Sequence, residues 1–300
     1  MNKMDQKNLR FQYIIPAYNL SPLNITNLIH RLPLKMKLPL IIYNDDLKSP
    51  TLKKIKELEN KGKLSSIIIP FQVGKTEAIR RGIEEILKNK NIDIDIIIQV
   101  DGRQKQPPED IESLISIFQK SEYDMIIANR YSYQDISNQQ HRKTISSTIS
   151  SIIQVLTGIS IPDPVCGTRG YRIKLAKKFL KLRGFGYGLE IEQLIIAGLI
   201  GAKVSSVPIH SKQQENFTLA EKIEDNFMTI ISYLKELKIS NEVKIMLCYI
   251  LSQIKMRNDF ICDLTPLGIP KVIKANIINT PFGCAYTLST ILYKNNRNTK

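Results

Sequence analysis

Short apolar runs alternate with amphipathic stretches through the first two thirds of the chain. Isoleucine-rich runs of strand length predict strands at 11–18, 38–46, 65–71, 93–100 and 123–131. Stretches with helical spacing of apolar residues predict helices at 23–32, 51–63, 75–90 and 144–158. Because strands recur roughly every thirty residues with helices between them, we predict βαβ units and a mostly parallel sheet. The nearly unbroken apolar runs suit strands that are covered on both faces.

The pattern changes beyond residue 212. Residues 202–210 form the last stretch that resembles a strand, and helical spacing follows over 220–238 and 242–256. The tail, 257–300, has weak periodicity and supports no assignment. We therefore expect one α/β domain over 1–212 and a small helical C-terminal region over 213–300, whose role is unassigned.

Composition is that of a folded protein with a large positive charge. Apolar residues make up 43% of the 300 positions, and 43 Lys and Arg against 28 Asp and Glu give a net charge of +15. Such a chain is attracted to polyanions such as anionic lipid, phosphorylated substrates or nucleic acid, although a Lys-rich, Ile-rich proteome would produce the same bias. Charge is the only feature that favours nucleic acid, since no recognition motif with stacking aromatics is found.

Cysteine usage and hydropathy indicate in which cellular compartment the protein is expected. Four widely spaced Cys and three separated His indicate neither a zinc site nor a disulfide framework, which fits a reducing cytosol. The N-terminal MNKMDQKNLR lacks the apolar core of a signal peptide, and the apolar stretch 245–254 is too short to span a bilayer. We expect a cytoplasmic protein, with no transmembrane span, whose basic helices over 220–256 contact anionic membrane.

Polar residues follow the predicted strands directly. Asn19, Asp45, Asp46, Gly74 and Asp101 all stand where a strand ends. In open parallel sheets ligands bind beyond the carboxyl ends of the strands, so these positions predict a site. Asp45 and Asp46 are equally suited to closing a turn.

The segment FQVGKTEA resembles part of a phosphate-binding loop. That loop requires a glycine five positions before Gly74, where Ile69 stands instead, so the nest of backbone amides cannot form. Lys75, just after a βα turn, either meets a phosphate or is a solvated residue at a helix start.

Seven segments together resemble the motifs of family 2 glycosyltransferases, in particular the dolichyl- or polyprenyl-phosphate sugar synthase branch. They occur in the family's order over about 200 residues. The segments are YIIPAYN, NDD (44–46), QVGKTEAIRRGIE, VDGRQKQPPEDI, DMIIANRY, DPVCGTRGYR and YGLEIEQLIIAGLIGAKVSSVPI.

The resemblance implies a GT-A fold that transfers a sugar, with inversion, from a nucleotide-sugar donor to a lipid phosphate. Matched position by position, it implies a nucleoside pocket, phosphate contacts and a catalytic set. The pocket residues are Pro16, Tyr18, Asn19 and Asp45; Asp101 would lie near the donor's ribose and diphosphate, Arg130 and Arg169 near phosphate groups, and Glu192 beside the sugar or acceptor. We also expect Lys75 and Lys105 to bind substrate, and we expect Asp101, Arg103 and Glu192 to be the catalytic residues. Arg169 would otherwise be a surface residue that forms an ion pair.

The chain departs from the family where a metal is held. Arg103 takes the place of the second Asp of D-x-D, and Lys105 that of the neighbouring Gln, which leaves Asp101 as the only metal ligand. Hard cations require several oxygen ligands, so a Mg²⁺ or Mn²⁺ site of the usual kind is not expected. A shifted alignment that places Asp101 on the second Asp needs a two-residue insertion. Two hypotheses remain: Arg103 and Lys105 replace the metal's charge, or the protein is an inactive binding or accessory subunit.

Overall fold

The computed structural model describes most of the first 210 residues and parts of the remainder. The described residues are 9–33, 38–88, 93–102, 108–132, 140–184, 188–210, 226, 229, 230, 232, 233, 236, 259–263 and 272–276. The chain divides into two compact units, Met1–Asn216 and Phe217–Lys300.

The first unit is built on a seven-stranded sheet with the order β3-β2-β1-β4-β6-β5-β7. Neighbouring strands are parallel except around β6, which runs antiparallel to both β4 and β5. The mostly parallel sheet predicted from the sequence is confirmed. The strands are β1 Phe11–Ala17, β2 Leu40–Asn44, β3 Ser65–Ile69, β4 Ile96–Gln99, β5 Met125–Asn129, β6 Arg169–Arg172 and β7 Val204–Pro208.

Helices connect the strands of this sheet along the chain. In the described part of the chain they are α1 Pro22–Arg31, α2 Pro50–Asn60, α3 Gly74–Lys88, α4 Pro108–Lys120, α5 Gln140–Thr157, α6 Ile173–Phe179 and α7 Leu189–Leu199. The periodicity did not predict α7, because all residues from Leu189 to Ala197 are buried and no polar face marks its period. The four-residue β6, RGYR, is likewise too short and too charged to be recognised as a strand.

Close packing holds α3 against the centre of the sheet. Ile14, Ile41 and Ile97 are completely buried, as expected for strands covered on both faces. A Cβ atom on Gly82 of α3 would lie 2.9 Å from Ile42 Cδ1 and 3.1 Å from Ile14 Cγ2. A larger residue at Gly82 would have to displace the ends of these isoleucine side chains, so the glycine allows α3 to pack closely on the strands.

The second unit contains strands that the sequence did not predict. β8 Asp259–Asp263 and β9 Val272–Asn276 pair antiparallel, with Ile261 opposite Lys274. The expectation that 202–210 holds the last strand is wrong, because five-residue strands of mixed polarity are too short to show a period. The predicted helices at 220–256 lie mostly outside the described residues; positions 226, 229, 230, 232 and 233 are helical. Among the described residues, no helix is both long enough and apolar enough to cross a bilayer.

Candidate functional site

The carboxyl ends of β1 and β2 are joined by a side-chain contact. Asn19 has φ 48°, a left-handed conformation that Asn tolerates better than most residues, and its N–H donates to Asp45 Oδ2 at 2.8 Å. Asp45 Oδ1 accepts from the N–H of Asp46 at 2.9 Å. Asp45 thus closes its own turn, as a turn-capping aspartate does, and also fixes the loop after β1.

Pro16 and Tyr18 flank this contact. Pro16 is the penultimate residue of β1, opposite Ile42 of β2, and Tyr18 is 40% exposed just beyond the strand. The chain after β4 packs closely here, because a Cβ atom on Gly102 would lie 3.2 Å from the Pro16 carbonyl oxygen. The residues expected to line a nucleoside pocket therefore lie together at the end of β1 and β2.

A lysine held between two carboxylates lies at the end of β4. Lys75, at the start of α3, places its Nζ 2.6 Å from Glu190 Oε1 and 3.6 Å from Asp101 Oδ2. The Lys75 side chain is 22% exposed, and that of Glu190 only 8%. Burial acts to lower the pKa of Lys75, but the charges of Asp101 and Glu190 and the hydrogen bond to Glu190 outweigh it and raise that pKa. Lys75 is therefore protonated near neutral pH and forms a charged group with the two carboxylates.

Gly167 covers the same pair of charges from the loop before β6. A Cβ atom there would lie 2.8 Å from Lys75 Nζ and 3.0 Å from Asp101 Oδ2, so no larger residue fits without displacing them. Two buried amides fix this loop: Gln99 Nε2 donates to the Gly167 carbonyl, and Gln193 Nε2 donates to Gln99 Oε1, both at 3.1 Å.

The described residues do not fit a divalent metal site. No group of three or more His, Cys, Asp or Glu side chains comes together among them. The ammonium group of Lys75 lies next to Asp101, where a metal would require further oxygen ligands, and it would repel a divalent cation. Arg103 and Lys105, which stand at the family's metal-ligand positions, lie outside the described residues.

Arg130 is held in place beyond β5 by a buried carboxylate. Its Nε donates to Asp163 Oδ2 at 2.7 Å and its Nη2 to Asp163 Oδ1 at 2.9 Å, a two-point ion pair. Burial acts to lower the pKa of Arg130, but the charge of Asp163 raises it well above its ordinary value. Because the Arg130 side chain is 24% exposed while Asp163 is fully buried, this cation is oriented by the interior and reaches solvent.

Arg169, which the family resemblance predicts to lie near a phosphate, lies in the interior of the domain. Its side chain is completely buried, and its guanidinium donates to the carbonyl oxygens of Cys166 at 3.0 Å, Glu190 at 2.9 Å and Pro164 at 3.1 Å. Burial lowers the pKa of this group from its ordinary value. With three carbonyl acceptors and no exposed surface, Arg169 is not available to a phosphate, and we assign it a structural role.

Glu190, which was not among the residues predicted from the sequence, contacts Lys75, and the role predicted for Glu192 stays a prediction. Glu192 is completely buried, and its carboxylate accepts from the N–H of Arg183 at 2.5 Å and of Gly184 at 3.5 Å. Residues two apart on a helix point in nearly opposite directions, so only one of the two glutamates can face Lys75. The E-x-E segment of α7 contains both, and the rotation of α7 in the structure turns Glu190 towards Lys75.

Comparison with known proteins identifies the family. Residues 13–180, more than half of the chain, match the model of glycosyl transferase family 2. The chain belongs to glycosyl transferase family 2. The family match runs from β1 to α6, so it includes Asn19, Asp45, Lys75 and Asp101 and ends before α7.

Curated relatives of this glycosyl transferase family 2 chain include two bacterial proteins named undecaprenyl-phosphate 4-deoxy-4-formamido-L-arabinose transferase. The protein from Proteus mirabilis (strain HI4320) is 28% identical over 174 residues, which are 56% of this chain and 50% of the relative. The protein from Yersinia enterocolitica (serotype O:8 / biotype 1B) is 26% identical over 157 residues, which are 52% of this chain and 44% of the relative. The chain spans about half the length of these relatives.

Solved structures with the same fold include glucosyl-3-phosphoglycerate synthase from Mycobacterium tuberculosis. Its complex with phosphoglyceric acid matches with a TM-score of 0.58 and 16% identity, over 78% of this chain and 82% of that one. Its complex with Mn²⁺, uridine diphosphate and glucosyl-3-phosphoglycerate matches with a TM-score of 0.54 and 16% identity, over 75% and 80%. At this identity the likeness shows the fold alone, which is the expected GT-A fold.

Proposed function

We propose that this family 2 protein transfers a sugar, with inversion, from a nucleotide-sugar donor to a polyprenyl phosphate or a similar lipid phosphate. The observation that carries the proposal is the clustering of Asn19–Asp45 and Lys75–Asp101 at the carboxyl edge of the sheet, inside the region that matches the family. The named activity of the undecaprenyl-phosphate relatives supports the choice of acceptor. Residues 1–212 form the proposed catalytic domain, with 213–300 as its extension.

The reaction needs little acid–base chemistry from the protein. An oxygen of the acceptor phosphate forms a bond to the anomeric carbon of the sugar, while the bond from that carbon to the donor diphosphate breaks. The electron pair of the broken bond leaves with the nucleoside diphosphate. Because the acceptor phosphate is already an anion, no general base is required, and the main demand is stabilisation of the departing diphosphate.

The proposed roles follow from position. Pro16, Tyr18, Asn19 and Asp45 line the nucleoside pocket, and Asp101 accepts hydrogen bonds from the donor ribose. Lys75 places its charge beside the leaving diphosphate, where Glu190 and Gly167 hold it in position. Arg130, oriented by Asp163, presents its remaining N–H groups to a phosphate.

We further propose that transfer does not require a divalent metal. The structural relative from M. tuberculosis holds Mn²⁺ together with uridine diphosphate. Here Lys75 lies next to Asp101, and Arg103 and Lys105 stand at the metal-ligand positions in the sequence. Protein cations would then supply the charge that a metal supplies elsewhere. The same substitutions favour the second candidate function, an inactive binding or accessory subunit.

The proposal places the protein at the cytoplasmic face of a membrane, where a lipid-phosphate acceptor is found. The predicted contact of helices 220–256 with anionic lipid belongs to it, and nucleic acid is not an expected partner.

A transfer assay tests this function. Purified protein is incubated with a panel of radiolabelled nucleotide sugars and undecaprenyl phosphate, and the lipid product is quantified. We expect transfer from at least one donor, and a loss of about a hundredfold in Asp101→Asn. The control is Glu85→Gln, an exposed carboxylate of α3, which should leave the rate unchanged. An Asp101→Asn variant with full activity would contradict the assigned site; donor binding without turnover would favour the accessory subunit.

A further inference from the structure

One exposed helix face carries a concentration of positive charge. Lys174, Lys177, Lys178 and Lys181, on and just after α6, are all exposed, and we call them the α6 lysine face. Their spacing of i, i+3, i+4 and i+7 places them on one side of a helix. The opposite side, with Leu175, Ala176 and Phe179, is buried in the domain. The face is therefore rigidly presented by the fold.

No acidic residue is close in sequence to the α6 lysine face. The sequence contains no Asp or Glu from 164 to 189. None of the ion pairs between described residues includes one of these four lysines. By contrast, charges on α2 and α3 pair within their own helices, as Lys54 does with Glu57 and Arg81 with Glu77. The α6 lysine face thus differs from these paired charges on α2 and α3.

The path of the chain connects this face with the proposed site. The N–H of Ile173, the first residue of α6, donates to the Asp95 carbonyl, next to the start of β4 and away from the carboxyl edge. After α6 the chain reaches Gly184, where a Cβ atom would lie 3.9 Å from Thr76 Cγ2. Thr76 follows Lys75 in α3. The helix that carries the α6 lysine face therefore begins at the opposite edge of the sheet, and the chain that follows it reaches the start of α3 beside the site.

We propose that the α6 lysine face docks on the anionic headgroups of a phospholipid bilayer. The inference rests on the proposed function, because a polyprenyl-phosphate acceptor lies in such a bilayer, and it names a docking surface other than helices 220–256. Charge complementarity identifies the partner: each lysine near an anionic leaflet adds to binding. The apolar residues of α6 are already buried in the domain, so the contact is electrostatic and lies at headgroup depth, without insertion. The face has no aromatic residue to stack on bases, which disfavours single-stranded nucleic acid.

Vesicle co-sedimentation tests the proposal. Full-length protein is mixed with vesicles of phosphatidylcholine, with or without phosphatidylglycerol, and the partition coefficient is measured. The test variant replaces the four lysines of the face with Gln. The control replaces four exposed lysines elsewhere, Lys53, Lys63, Lys120 and Lys203, with Gln, and so removes the same charge. Circular dichroism and the unfolding midpoint confirm that both variants are folded.

We expect the test variant to lose about a hundredfold in partition onto anionic vesicles, and the control only a few-fold. Binding of the wild type should fall steeply as salt shortens the Debye length. Equal losses in both variants, wild-type binding to neutral vesicles, or stronger binding to a duplex oligonucleotide than to anionic vesicles would overturn the proposal. Transfer to a soluble short-chain polyprenyl phosphate distinguishes a failure of the docking proposal from a failure of the proposed function. Retained turnover in the test variant supports both, whereas a wild type that binds vesicles without turnover overturns only the proposed function.

Discussion

Replacing Lys75 with Met removes the cation from between its two carboxylates while keeping a side chain of similar length. At 2.6 Å from Glu190 and 3.6 Å from Asp101, the two attractions amount to about 6 and about 5 kcal/mol at an effective dielectric of about 20. Desolvation of the ammonium and of Glu190 offsets most of this gain. Because the Lys75 side chain is 22% exposed, we expect Lys75→Met to lower the free energy of unfolding by about 2–3 kcal/mol, below the value for a fully buried pair.

Urea denaturation at neutral pH measures this loss, and a double-mutant cycle assigns it. Glu190→Gln alone should also destabilise, because Lys75 loses its nearer partner. The double variant should be more stable than the sum of the single losses predicts, with a coupling energy of about 1–3 kcal/mol. Additive losses, or a Lys75→Met protein as stable as the wild type, would refute the view that these charges form one coupled group.

The same group makes a prediction about pH. The pKa of Lys75 is raised above its ordinary value of 10.5 in the folded protein. Its contribution is therefore fully present below the pKa of the unfolded chain and is lost as pH rises towards the folded value. The stability difference between wild type and Lys75→Met should be constant from about pH 7 to about pH 10 and shrink above that. A difference that grows in alkali would contradict this sign.

Three further predictions concern the residues around the site. Gly167→Ala should displace the tip of Lys75 and lower the transfer rate about tenfold, with a loss in unfolding free energy of only about 1 kcal/mol; full activity would contradict the close packing. Arg169→Lys should cost about 3 kcal/mol in chemical denaturation, because one ammonium cannot reach three carbonyls; unchanged stability with weakened donor binding would instead restore a phosphate role. Burial raises the pKa of Cys166 to about 11, so in a variant whose other cysteines are Ser this thiol should resist a disulfide reagent at about pH 8 until urea is added; rapid native labelling would contradict its burial.

The strand ends of the parallel sheet were predictable because two local signals coincide there. Long isoleucine runs indicate strands covered on both faces, and residues such as Asn19, Asp45 and Asp101 end them. In a parallel sheet these ends share one edge, so the site could be located without coordinates.

The orientation of individual side chains was not predictable in the same way. Arg169 belongs to a short antiparallel strand, and only tertiary packing shows that its guanidinium faces inward onto carbonyls. The choice between Glu190 and Glu192 depends on how α7 is rotated, and a helix that is buried on all sides gives no periodic signal for that rotation. Pattern and motif order therefore locate the site, whereas tertiary contacts decide which charges reach it.

The most direct test of the central claim is transfer to undecaprenyl phosphate by metal-free protein in the presence of EDTA. We predict that turnover continues in EDTA at the rate seen with added Mn²⁺ and that Lys75→Met abolishes it under both conditions. Turnover that appears only when Mn²⁺ is restored would contradict the claim that protein cations supply the charge at this site.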